Sequence, residues 1–360
     1  MQNKKIGIVT IYDANYGNRL QNYALQQVIK EMGNEVESIY FKDISKSFYI
    51  RKTQNPIRKV IKCFVPTVFI RRRHIGDYEP AQEMCDKFTK DYIVSRTIHV
   101  KRRRDIKKSV KPEEYSCFVA GSDQIWNPKF AGDEYYYLTF AENEQKKAYG
   151  ASIGYEDIPK KLQRKWRGYW NSFETVTVRE EAAARIIGRI AGRKTKVVLD
   201  PTLLLDAKEW DALSDKAVVP NEIGDVVNED YAFVFFLGKE PEEVIEYKNT
   251  TQTCIIDISD ANSELRQKVG PAEFIKLVRE SSMVLTDSYH CLVFSVIYQK
   301  KYRVYKRVST GLESMTSRME ELFKLTGLDY VMESEEYDEV KKRLEISKRD
   351  SYTTLEKMIR

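Results

Sequence analysis

Residues 5–41 run strand, loop, helix, strand, and that order limits the fold more than any other feature of the chain. "KIGIVTIY" (5–12) is a short apolar strand, and "DANYGNRLQ" follows as its loop. A helical pattern from about 20 to 32 puts Leu20, Tyr23, Ala24, Val28 and Ile29 on one face. Gly33 closes it, and "EVESIYF" (35–41) alternates as the next strand. A βαβ unit buries its strands in a parallel sheet covered by helices. Gly17 lies in the first turn, but the GxGxxG dinucleotide fingerprint is absent.

The same alternation continues. "SCFVAGSDQIWNP" (116–128), "KKAYGASIG" (146–154), "TVTV" and "KVVLDPTLLL" (196–205) read as strands, with helices at about 159–172 and directly after "TVTV". Their ends carry Gly17, Asp123, Gly154, Arg179 and Asp200. A polar stretch at 206–228 reads as a linker. "YAFVFFLG" (231–238), "CIIDIS", a helix near 271–281, "MVLTDS", a helix near 290–298 and "KYRVY" then form a second series. A chain of 360 residues is long for one core and suits two domains. The expectation is two Rossmann-like α/β domains facing a cleft, at 1–205 and 229–335. A basic insertion occupies about 42–112, and a charged helical tail (336–360) packs back on the first domain. Strand C-termini would line the cleft, where open α/β sheets bind ligands.

Charge placement matters more than the net charge of +6. Residues 51–73 hold eight Lys/Arg and no acid, and "KRRRDIKKSVK" (101–111) adds seven. Nucleic acid is not the expected partner, because aromatic interleaving and helix-turn-helix or zinc-finger spacings are missing. "VIKCFVPTVFI" (60–70) lies between basic blocks and is too short to span a bilayer. Such a segment suits peripheral contact with an anionic membrane, or is simply a solvated charged loop. Five scattered cysteines without a CxxC pair point to reduced thiols, and no N-terminal signal pattern is present. The expected location is the cytoplasm, with the inner membrane face open to the basic segment.

"VLTDSYHC" (284–291) concentrates the candidate chemistry: an apolar strand end, then acid, hydroxyls and imidazole just where a helix begins. His290 is the leading candidate, since imidazole exchanges protons near neutral pH. Asp287 orients that ring or caps the helix; the sequence leaves both open. Ser288 lacks the GxSxG context of a nucleophile elbow. Arg179, before a helix N-terminus, offers a fork for phosphate or carboxylate. Asp123, Gln124 and Trp126 combine acid, amide and indole, a mixture suited to a sugar. Gly17, Asn18 and Gln21 of the first loop, with Ser122 and Ser288, complete the candidate binding set. No HExxH, Walker loop or paired-acid ligand set appears, so no metal is expected.

Seven segments in order carry a resemblance: "GNRLQNYALQQVIKEMGNEVESIYF", "FVAGSDQIWNP", "YGASIG", "TVREEAA", "VLDPTLLL", "GPAEFIKLVRESSMVLTDSYHCLVFSVIYQKKYRVY" and "SRMEELF". Together they resemble the polysaccharide pyruvyl transferase family. The resemblance implies a fold like that of GT-B glycosyltransferases. It also implies transfer of a pyruvyl group from phosphoenolpyruvate, with no further cofactor, to sugar hydroxyls as a ketal on a cell-surface polysaccharide or precursor. The acceptor would be free, nucleotide-linked or lipid-linked. The family positions correspond here to Arg179, His290 and Arg318. His290 would handle protons, with Asp123 or Asp287 as counterpart, and the arginines would hold the donor's anionic groups. Two other readings share the architecture: a nucleotide-sugar-dependent glycosyltransferase, and a non-catalytic glycan-assembly protein.

Overall fold

The computed structural model describes residues 4–43, 79–100, 105–128, 134–307, 317–332 and 337–360. β1 (Lys5–Val9) leads through α1 (Tyr16–Glu31) to β2 (Val36–Asp43), which pairs with it in parallel. α2 (Glu79–Tyr92) and β3 (Ser95–Val100) follow, with β3 beside β2. After the short α3 (Ile106–Val110), β4 (Tyr115–Ala120) pairs on the other side of β1. β5 (Lys146–Ala151), α4 (Lys160–Asn171), β6 (Thr175–Val178), α5 (Glu181–Ala191) and β7 (Lys196–Val197) extend that side. The resulting parallel sheet of seven described strands has the order β3-β2-β1-β4-β5-β6-β7. Helices cover both faces, so β5 is buried throughout, its two opening lysines included, without strict alternation.

α6 (Ala207–Ser214) joins this unit to the second, which begins with β8 (Tyr231–Phe235), α7 (Glu242–Thr250) and β9 (Cys254–Asp257). α8 (Glu264–Lys268), α9 (Pro271–Glu280), β10 (Met283–Thr286), α10 (Tyr289–Ile297) and β11 (Lys301–Val304) follow. α11 (Ser317–Thr326), β12 (Val331–Met332) and α12 (Asp338–Ile359) complete the chain. Five described strands form the second sheet in the order β12-β11-β10-β8-β9, with only β12 antiparallel.

Each sheet reverses its winding at one place, between β1 and β4 in the first and between β8 and β10 in the second. A crevice opens at such a switch point because the connections leave in opposite directions. The two crevices meet through α1. Tyr16, its first residue, donates a 2.7 Å hydrogen bond to the Val269 carbonyl, and its ring packs on Phe274 (centroids 5.1 Å). Leu20 and Val28 therefore share one apolar cluster with Phe235, Phe274 and Leu292.

Two segments differ from expectation. The 206–228 stretch is folded: α6 is opened by a capping box at Asp206 and Glu209, and it buries Trp210 against Phe294 (centroids 4.9 Å). The described part of the supposed insertion supplies a full helix and an edge strand, α2 and β3. Its basic runs at 51–73 and 101–104 lie outside the described residues. α12 lies back against the first unit, where the Leu199 N–H donates to Ser351 Oγ at 3.0 Å and Leu355 and Met358 join the shared core. Among the described residues no helix is long and apolar enough to cross a membrane.

Candidate active site

At the C-terminal ends of β4, β6 and β7 the backbone delivers Asp123, Arg179 and Asp200 to one point. Arg179 is buried between the two carboxylates: one arm donates to Asp200, the other to Asp123 at 3.1 Å. Arg318, at the start of α11, reaches Asp123 from the second unit at 3.6 Å. The ring of Tyr289 lies beneath both guanidiniums, 5.0 Å from Arg179 and 5.4 Å from Arg318. Burial pushes the Asp200 carboxyl up, but Arg179, His290 and the Thr202 hydroxyl more than reverse this and hold it well below the carboxylate range. Asp123 is likewise lowered, with burial overcome by Arg179, Arg318 and His290. Arg318 is also lowered, first by burial and then by the neighbouring Arg179.

Asp123 holds φ 70°, in the left-handed region that aspartate enters at modest cost. Its carbonyl accepts from Ile125 N and Ser152 N, both at 2.8 Å, and this fixes the turn. A strained residue secured by its surroundings is a common feature of functional sites.

His290, in the first turn of α10, faces this cluster from the other sheet. It is 7% exposed, and its Nε2 lies 3.7 Å from Asp200 Oδ2 without a hydrogen-bond partner among the described residues. The imidazole rests on Gly17 of α1, where a Cβ would come within 2.6 Å of the ring's Cγ and closer still to Nδ1. Glycine is required there by this close approach. Gly17 is therefore a helical residue against the histidine, because α1 starts four residues before its apolar stripe.

Asp287 has another task. Its carboxylate accepts from Leu237 N (2.7 Å), Gly238 N (2.8 Å) and a two-pronged fork from Arg307 (2.8 and 3.1 Å). Four donors tie the loop after β8 to the loop after β11, and Asp200 takes the place beside His290 that the sequence offered to Asp287.

Of the other candidates, Asn18, Gln124 and Ser288 line an open cleft together with Asp123, His290 and Arg318. Trp126 does not. It is fully buried, stacked on Tyr137 and edge-on to Trp170, with its indole N–H on the Tyr136 carbonyl at 3.3 Å. Its bulk was better spent in the core than on a sugar face. Gln21 is also buried and donates to Thr10 Oγ1 and the Asn18 carbonyl. Ser122 lies beneath Arg179, 3.5 Å from its nearer arm.

The geometry adds Asp13, Tyr289, Arg307 and Arg266. Asp13 is solvent-exposed on the cleft floor and accepts from Asn18; the protein atoms crowded around it, opposed by Arg19, raise its carboxyl to about 6. Its position in "YDANYG", at a strand end on a switch point, was the available signal.

Two parallel α/β units with switch points facing across a cleft define a GT-B-like architecture. A protein assigned as a UDP-N-acetylglucosamine 2-epimerase from Listeria monocytogenes shares this fold, with a TM-score of 0.53 at 10% identity, over 99% of this chain and 91% of that one. HepE from Anabaena, solved with UDP and glucose, aligns at a TM-score of 0.47 and 10% identity over 99% and 98%. No curated protein matches the sequence significantly. The family model for polysaccharide pyruvyl transferase matches residues 15–302, and the chain belongs to that family. The match spans every residue of the cluster except Asp13, Arg307 and Arg318.

Proposed function

We propose that the protein transfers the pyruvyl group of phosphoenolpyruvate to two hydroxyls of a sugar, forming a cyclic ketal on a cell-surface polysaccharide or its precursor. The observation that carries this reading is the facing of His290 and Arg318 from one unit with Asp123, Arg179 and Asp200 from the other, in a chain of this family. Phosphoenolpyruvate presents a phosphate and a carboxylate, which guanidinium forks match. A sugar hydroxyl adds to C2 while C3 gains a proton and becomes a methyl group. The C–O bond to phosphate then breaks, and the second hydroxyl closes the ketal at C2. One hydroxyl proton balances the methyl group, and the other leaves with phosphate.

His290 is the proton carrier in this scheme, steadied by Asp200 and seated on Gly17. Arg179, whose charge is already balanced by two aspartates, positions the cluster. Arg318, with its Nε unpartnered among the described residues, binds the donor. No further cofactor enters.

The test is a thermal-shift titration with phosphoenolpyruvate beside UDP-sugars, followed by a pyruvylation assay on sugar acceptors. Binding to the folded state alone raises Tm as ligand passes its Kd. Protection by phosphoenolpyruvate, weakened in Arg318→Gln, supports the reading; protection by UDP-sugars alone moves it to glycosyl transfer. His290→Ala is expected to fold normally and to lose turnover by at least about 100-fold. Activity within about tenfold of wild type would remove His290 from the mechanism.

A further inference from the structure

Beside His290 is a second, narrower recess at the start of α1. Its wall includes Asn15, Gly17, Ser288, His290 and Arg266. Arg266, from α8, is 7% exposed. Its guanidinium lies on the ring of Tyr16 at 4.1 Å and on that of Phe235 at 4.6 Å. No described carboxylate pairs with it, and its buried Nη1 donates to nothing among the described residues. Ring faces offset part of the desolvation of a buried guanidinium, but an unpaired buried cation remains costly. A buried guanidinium beside the N-terminus of a 16-residue helix is the chemistry that favours an anion.

We infer that this recess is a phosphate subsite, with Arg266 and the start of α1 holding the phosphate of phosphoenolpyruvate. The inference rests on the donor assigned above. The charge balance decides which end of the donor goes where. In the larger cleft Arg179 and Arg318 face Asp123 and Asp200, Arg307 is paired with Asp287, and Asp13 adds a carboxyl on the floor, so the cations there are already matched by acids. Arg266 has no counter-ion among the described residues, so the more highly charged phosphate goes to it and the carboxylate goes to Arg318. His290 lines both spaces, which puts its ring beside the carbons between the two groups. Phosphate then leaves into the recess that held it.

The experiment compares wild type, Arg266→Met, Arg266→Lys and Arg318→Gln by thermal shift with inorganic phosphate, phosphoenolpyruvate, pyruvate and a UDP-sugar. Arg266→Met removes an unpaired charge and keeps an apolar stem against the rings, so without ligand its Tm is expected to equal or exceed that of wild type. Its protection by inorganic phosphate should vanish, and its affinity for phosphoenolpyruvate should fall about 30-fold. Arg266→Lys should retain phosphate protection at roughly tenfold weaker affinity. Arg318→Gln should retain it in full.

A ligand-free Tm well below wild type in Arg266→Met, with phosphate protection intact, would make Arg266 a packing residue and overturn the inference. Equal phosphoenolpyruvate protection in wild type and Arg266→Met, lost only in Arg318→Gln, would also overturn it while leaving the donor assignment standing. Arg266-dependent protection by phosphate and the UDP-sugar, with none by phosphoenolpyruvate, would keep the phosphate recess and remove the donor.

Discussion

Without the Arg179 guanidinium, buried Asp200 would lose its ion-pair partner and Asp123 would keep only the 3.6 Å contact to Arg318. Arg179→Met is therefore expected to destabilise the fold by about 3–5 kcal/mol, the usual cost of breaking a buried ion pair from one side. Adding Asp200→Asn to that variant should restore part of the loss, because one stranded charge is then gone. Urea denaturation of the two variants checks both signs. A single variant within about 1 kcal/mol of wild type would mean that the triad contributes little. Losses of activity in Arg179 variants thus need a stability control, and Arg318 is the cleaner probe of donor binding. At this scale the sequence displayed the reactive residue types but not their partners. Asp287 is only three residues from His290, yet Leu237, Gly238 and Arg307 occupy it, whereas Asp200, ninety residues away, faces the imidazole.

Helix α6 shows how an element can be missed when its apolar signal is short. Its eight residues include charged side chains, and its stability comes from Trp210, which reaches across to α10. The Trp210 indole also donates to the Thr202 carbonyl at 3.2 Å. Trp210→Ala is expected to cost about 3–5 kcal/mol, through lost burial and an unfilled cavity. Chemical denaturation measures this, and a cost under about 1 kcal/mol would mark 206–228 as a dispensable connection. By contrast, helices with a full apolar stripe or a sharp start signal lay close to their expected places. The 159–172 and 271–281 patterns became α4 and α9, the second opening on Pro271 at its N-terminus. α1 began early at Tyr16, because Gly17 and Asn18 serve the cleft and add nothing to the stripe.

Across the whole molecule, the two units close on a floor that carries Asp13. Its raised carboxyl means that the folded state holds that proton more tightly than the unfolded chain. The contribution to stability is fully present below about pH 4 and is lost as pH rises towards 6. Wild type should therefore lose stability relative to Asp13→Asn between pH 4 and pH 6, with no further divergence above about 7. Urea denaturation of both proteins across that range would show it, and parallel curves would mean that the Asp13 carboxyl is not raised. Protonation also removes a negative charge from the cleft, so phosphate protection should strengthen over the same fall in pH.

The sequence alone determined the layered α/β plan, the parallel pairing and the positions of most strands, because these follow from local apolar periodicity and from helices that must cover a sheet. It also placed His290, Arg179 and Asp123 at strand ends. Tertiary structure decided which of those ends meet. Trp126 and Gln21 carry the same polar chemistry as true cleft residues, but their side chains enter the core, and nothing within a few residues of them records that direction. The pairing of Arg179 with Asp200, the seat of His290 on Gly17 and the unpaired charge of Arg266 all depend on distances between segments far apart in the chain. Such distances are set by how two sheets and one shared helix pack.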